Sequence, residues 1–144
     1  MNETGSAHAP DAAHEGEGPL LEEMSRRIVQ LHKESYGKGP TKARAHWDDD
    51  VITVILRGGF TRDEETLREA GRGEAVLEHR MHFHEAMRGR FKDELEQLTG
   101  RAVIGVMSGV QVEQPEMAAQ VFVLEPKPEP EGHQSTRRFR RGLS

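Results

Sequence analysis

Cysteine is absent from the 144 residues. The chain therefore has no disulfide framework, thiolate metal site or cysteine nucleophile, and its composition fits a reducing compartment. Aromatic side chains are also scarce, at 5% with one Trp and one Tyr, and hydrophobic residues reach only 34% against 31% charged. No run approaches the roughly 20 apolar residues that a membrane span needs, and the first residues lack the basic-then-apolar pattern of a secretory signal. The expectation is a soluble cytoplasmic protein with no membrane span. Positive charge is in deficit, with 20 Lys and Arg against 25 Asp and Glu and a net charge of -5, so no specific nucleic-acid partner is expected.

What apolar sequence exists is concentrated in the middle. Residues 1–19 are rich in Ala, Gly, Glu and His, and residues 126–144 in Pro, Glu, Arg and Gly. Neither stretch can bury enough apolar surface to offset its ordering entropy, so both read as disordered tails around one domain over 20–125. The one dense basic cluster, Arg137-Arg138-Phe139-Arg140-Arg141, lies in the second tail. Such a cluster can contact anionic lipid or nucleic acid, or simply be solvated.

Within the domain the hydrophobic period changes along the chain. Leu21, Met24, Ile28 and Leu31 fall three and four apart, which predicts an amphipathic helix over Leu20–Ser35. Pro19 suits its start, and Gly37 with Gly39-Pro40 stops it. Ala43, Ala45 and Trp47 then alternate with Lys42, Arg44 and His46, the period of a half-buried strand. Asp48-Asp49-Asp50 makes a tight turn into Val51–Leu56, apolar on both faces and so expected to be more central. Thr61 and Glu64 have the spacing of a capping box and open a short helix. A long helix is predicted over Glu74–Leu98, with Leu77, Met81, His84, Phe91, Leu95 and Leu98 along one stripe. At 1.5 Å per residue it is roughly 37 Å long, more than a small domain needs, which hints at packing against a second copy. Ala102–Val112 and Ala118–Leu124 read as two further strands, with Gly105 and Gly109 at bulges or close backbone contacts. The expected fold is α+β: two layers, with an antiparallel sheet of about four strands, as two hairpins, packed against helices in the order α-β-β-α-α-β-β.

Several of these landmarks occur together elsewhere. They are Gly37-Lys38-Gly39-Pro40 after the first helix, Val51-Ile52-Thr53-Val54, Phe60-Thr61 with Glu64 and Leu67, Gly73, Leu98-Thr99-Gly100, and Val121-Phe122-Val123-Leu124. In this order and spacing the chain resembles the small bacterial MpsC-like family over nearly all of Leu20–Glu125. That family is named as a component of a Na+-translocating, membrane-potential-generating system. The resemblance implies a non-enzymatic accessory protein serving a membrane ion or inorganic-carbon transport system from the cytoplasmic side. Its expected partners are a second copy of itself and membrane transporter subunits. The chain departs from some members in its third strand, where Ser108-Gly109-Val110-Gln111 has no acidic residue after the serine.

No catalytic set emerges from the residues, and no cofactor is expected. Lys38, Lys42 and Arg44, near a Gly-rich turn, are the candidate anion contacts and support an alternative reading as an anion or small-molecule sensor. The turn lacks Walker spacing and follows a helix instead of opening one, so it reads first as a helix stop. Glu78, His79, His82 and Glu85 support a less favoured alternative, a metal-dependent enzyme. The spacing of four between histidines, with a Glu between them, that helical zinc sites use is missing, and a solvated or interface helix is expected instead. Asp48-Asp49-Asp50 lacks the alternate spacing of a calcium loop, and Ser108 lacks the spacing of a nucleophile elbow.

Overall fold

A computed structural model describes residues 18–127, so nearly all of both predicted tails lies outside the described residues, while Gly18 and Pro19, expected in the first tail, open the first helix. Seven elements follow in the predicted order: α1 (Gly18–Tyr36), β1 (Lys42–Asp48), β2 (Val51–Arg57), α2 (Arg62–Glu69), α3 (Gly73–Thr99), β3 (Val103–Gln111) and β4 (Met117–Leu124). The four strands form one antiparallel sheet in the order β1-β2-β4-β3. The two sequential hairpins are therefore joined through their second strands, which makes β2 and β4 central and β1 and β3 the edges. The protein is an α+β domain with its helices against one side of that sheet.

Strand alternation sorts the sheet residues onto two faces. Ile52, Val54 and Leu56 of β2 and Ala118, Gln120, Phe122 and Leu124 of β4 point into the core. There they meet Met24, Ile28 and Leu31 of α1 and Met87, Phe91 and Leu95 of α3. Among the described residues no helix lies over the opposite face. Across it the register aligns His46, Thr53, Val121 and Met107 in one row, and Arg44, Ile55, Ala119 and Gly109 in the next. β2 is central, as its composition predicts, but its second apolar face, Val51 and Ile55, lies on this open side.

Turns and caps follow local chemistry. Gly37 has φ +93° and its N–H donates to the Lys33 carbonyl (3.1 Å), closing α1 in the left-handed conformation that glycine adopts freely. The Asp49-Asp50 turn has Asp49 at φ 58°, and Arg101 donates to the Asp50 carboxylate (2.9 Å) from across the sheet. The Thr61 box forms with both bonds: Glu64 N–H donates to Thr61 Oγ1 (3.2 Å), and Thr61 N–H to Glu64 Oε1 (2.9 Å). The helix α1 already runs at Gly18, two residues before the expected start at Leu20.

Two further expectations are corrected. Gly105 does sit where the β3 register shifts, with Ile104 as the extra residue, whereas Gly109 pairs regularly with Ala119 and has open space around it. In α3 the buried stripe is Val76, Arg80, His84, Met87, Phe91 and Leu95, while Leu77 and Met81 face outward. Both stripes satisfy a helical period. The inner one wins at the start of the helix because Arg80 finds an ion partner inside, as described below. Its buried residues run from Val76 to Leu95, so nearly the whole of α3 is occupied within the monomer, and its length by itself implies no second copy.

Candidate functional site

The most elaborate polar structure lies where the end of α1, the start of α2 and the first half of α3 converge. Arg80 and Glu64 are both buried, at 4% exposure each. Arg80 Nε donates to Glu64 Oε2 (2.8 Å) and its Nη2 to Glu64 Oε1 (2.6 Å), a two-pronged pair; Nη2 also donates to the Gly59 carbonyl (3.1 Å). The Tyr36 hydroxyl donates to the same carboxylate. The guanidinium is sandwiched between the Tyr36 and Phe60 rings, 4.3 and 4.2 Å from their centroids. The capping box thus has a second role: Glu64, positioned by Thr61, becomes the counter-ion that brings Arg80 inside. An arginine suits this place because its planar fork matches a carboxylate and stacks on rings.

A cleft of about 830 Å³ opens above this floor, with Tyr36, Asp63, Glu64, Leu67, His79 and His82 among its walls. Its deepest charges are already committed to one another: the Glu64 oxygens accept from Arg80, Tyr36 and the Thr61 N–H. The network reads as a lock tying α1, α2, α3 and the β2–α2 loop together.

Beside the lock are two buried histidines. His32 Nδ1–H donates to the Ile28 carbonyl (2.9 Å), and its ring stacks on Phe91 and meets His84 edge-on, with centroids 5.3 and 5.6 Å apart. Nε2 of His32 and both ring nitrogens of His84 have no hydrogen-bond partner among the described residues, nor does the buried Gln120 side chain. Burial pushes His84 down to about 4, with the charges of a protonated His32 and of Arg80 adding to the effect. His32 is lowered chiefly by burial and also by Arg80, against the opposing effect of its bond to Ile28. Both rings are therefore neutral at pH 7.

The histidines of α3 point in different directions, as 100° per residue requires. His84 is in the core, His79 lies beside Tyr36 at the cleft (ring centroids 5.6 Å), and His82 is exposed, 3.8 Å from Glu78. Among the described residues no group of three or more His, Cys, Asp or Glu side chains is placed to hold a metal ion. Nor does the structure bring Glu78, His79, His82 and Glu85 onto one site.

The three candidate anion contacts separate as well. Lys38 Nζ donates to the Phe60 carbonyl (3.0 Å), which latches the α1–β1 loop to the β2–α2 loop. Gly39 packs onto α1, where a Cβ would fall 2.8 Å from Lys33 Cγ. Lys42 and Arg44 lie together on the exposed side of β1, and the register sets Lys42 directly opposite Arg57. None of Lys42, Arg44 and Arg57 has an ion-pair partner among the described residues.

Sequence reading missed two features. One is the Glu64–Arg80–Tyr36 lock, whose trace was the alternative stripe Val76–Arg80–His84–Met87. The other is the open sheet face. There Ile104 is 64% exposed and Met107 56%, with Val51, Ile55, Val121 and Val123 beside them and the basic row at the β1 edge. Exposed apolar side chains therefore gather on this face, with basic ones along its β1 edge.

A family model described as Na+-translocating membrane potential-generating system (MpsC) matches residues 17–126. No curated protein and no solved structure matches the chain.

Proposed function

Because the chain belongs to the MpsC family, we propose that it is a non-enzymatic accessory component of a Na+-translocating, membrane-potential-generating system. It acts from the cytoplasmic side, as a homodimer, by contact with the subunits that cross the membrane. No helix among the described residues is long and apolar enough to cross one itself. The observation that carries the reading is the open sheet face. Ile104, Met107, Val121 and Val123 form an apolar field, bordered at β1 by Lys42, Arg44 and Arg57. Interfaces combine these features, an apolar centre for affinity and rim charge for orientation.

The test is native co-purification from gently solubilised membranes. Integral subunits of an ion or inorganic-carbon transporter are expected with the parent protein and not with Met107→Asp. Met107 is more than half exposed, so that variant is expected to keep its circular dichroism spectrum and melting temperature. Recovery of the protein alone, parent and variant alike, would overturn the accessory role.

A further inference from the structure

The two edges of the sheet are built differently. β3 carries a register shift at Ile104 and two glycines, Gly105 and Gly109. Bulges and glycines blunt an edge against further pairing. β1 has neither: Lys42–Asp48 is seven residues in unbroken register with β2, free of glycine and proline. An edge strand turns every second pair of backbone N–H and C=O groups outward. No strand pairs with the outer side of β1 among the described residues. Alongside it runs a groove of about 500 Å³ between strand and helix, lined by Leu21, Ser25 and Val29 of α1 and by Ala43, Arg44 and Ala45.

We infer that β1 pairs antiparallel with β1 of a second copy, about a two-fold axis at Ala45, to make one eight-stranded sheet. This deepens the dimer part of the function proposed above and rests on it. Read against its own reverse, Lys-Ala-Arg-Ala-His-Trp-Asp pairs opposite charges at its ends, while Arg44 meets the partner's His46 between them. Centred on Ala45, the pairing sets Lys42 opposite Asp48 of the partner subunit, twice by symmetry, and Ala43 opposite the partner's Trp47. The large ring thereby meets a small residue that lines the groove. In the single chain Lys42 faces Arg57, a like-charge pair with no counter-ion, and Asp48 faces Val51 with no ion partner among the described residues. Like charges directly opposite each other destabilise a ladder, and opposite charges stabilise it. Asp48 of the partner subunit neutralises the first defect and is itself paired by doing so. Seven residues in this register exchange about six to eight backbone hydrogen bonds.

Other occupants fit less well. The chain's own C-terminal sequence carries Arg137, Arg138, Arg140 and Arg141, which repeat the charge of Lys42 and Arg44. The two-fold arrangement also leaves the open sheet face of each copy clear, and the basic rows run along the seam that borders the two apolar fields.

Sedimentation equilibrium of the full chain tests this, with two sets of variants. Lys42→Asp places acid opposite acid across the axis at two points and is expected to raise the dimer dissociation constant about tenfold. Within its own chain the new Asp faces Arg57, so a general loss of stability is not expected. The double variant Lys42→Asp/Asp48→Lys restores the pairing, and its dissociation constant returns to within about threefold of the parent. Independently, Ala45→Cys introduces the chain's single cysteine and is expected to give a disulfide-linked dimer on mild oxidation. Residues opposite each other in a ladder lie about 4.5–5.5 Å apart at Cα, within disulfide range. Met107→Cys, far from the axis on β3, is expected to form no disulfide link under the same oxidation. A parent protein that is monomeric at high micromolar concentration would overturn both the dimer and its site. A dimer indifferent to the charge swap and not linked through Ala45→Cys would overturn the β1 site alone and leave the dimer reading standing.

Discussion

Glu64 is the residue on which most of the polar architecture turns. It accepts from its own helix cap, from both prongs of Arg80 and from Tyr36, and is only 4% exposed. Removing one member of such a pair leaves a buried charge without a counter-ion. Glu64→Gln is therefore expected to cost about 3–5 kcal/mol in urea unfolding, while Glu64→Leu with Arg80→Met recovers much of that loss. A single-variant cost below about 1 kcal/mol would show that the pair is not the lock inferred here. His84 makes a prediction of opposite character. Its folded pKa of about 4 lies below the ordinary histidine value of 6.5. Between those values the unfolded chain binds the extra proton, so the neutral ring's contribution is complete above pH 6.5. It is lost as pH falls toward 4, on the order of 3 kcal/mol in all. His84→Leu removes that dependence, along with two unpartnered buried nitrogens. Unfolding midpoints measured from pH 7.5 to 4.5 are expected to coincide or slightly favour Leu at the upper end, and to favour it increasingly as pH falls. Parallel curves for the two proteins would refute the assignment.

Elements here are defined by their ends as much as by their faces. Gly58-Gly59 reads in the sequence as a strand stop, but only the fold shows how tight the stop is. Gly59 has φ +87°, and a Cβ there would lie 2.8 Å from Pro40 Cα and 2.9 Å from the Gly39 carbonyl, which are backbone atoms unable to move aside cheaply. Gly59→Ala is expected to cost about 2 kcal/mol or more. Gly109→Ala, in open space in β3, is expected to stabilise by about 0.5 kcal/mol, since alanine loses less backbone freedom. Thermal melts of the two variants, shifted in opposite directions, check the distinction. The same contrast explains an error in reading α3. Two stripes, one through Leu77 and Met81 and one through Val76 and Arg80, differ by one residue, and hydropathy favours the wrong one. A charged residue ranks as outward-facing until its buried partner is known, and that partner lies 16 residues away in another helix.

At the scale of the whole molecule, the two faces of one sheet differ in what covers them among the described residues. The covered face holds the core, and the open one keeps Met107 and Ile104 in solvent. Variants on the open side are therefore expected to separate binding from folding, as Met107→Asp is designed to do, whereas variants at Phe122 or Leu124 affect both. An edge-to-edge dimer through β1 and a partner on the open face share Lys42, but Ala45→Cys reads only the first and Met107→Asp only the second, so the failure of either is seen separately.

The element order, the turn residues, the capping box and the α+β class were legible in the chain because each rests on interactions a few residues long: a hydrophobic period, a glycine stop, a Thr-x-x-Glu spacing. The family was legible for the same reason, through the order of those local marks. The strand order β1-β2-β4-β3, the burial of Arg80 and His84, the dispersal of Lys38 from Lys42 and Arg44, and the bare face of the sheet were decided only by tertiary structure. Each depends on which segments meet across long stretches of chain. An apolar strand residue looks the same in sequence whether a helix covers it or water does.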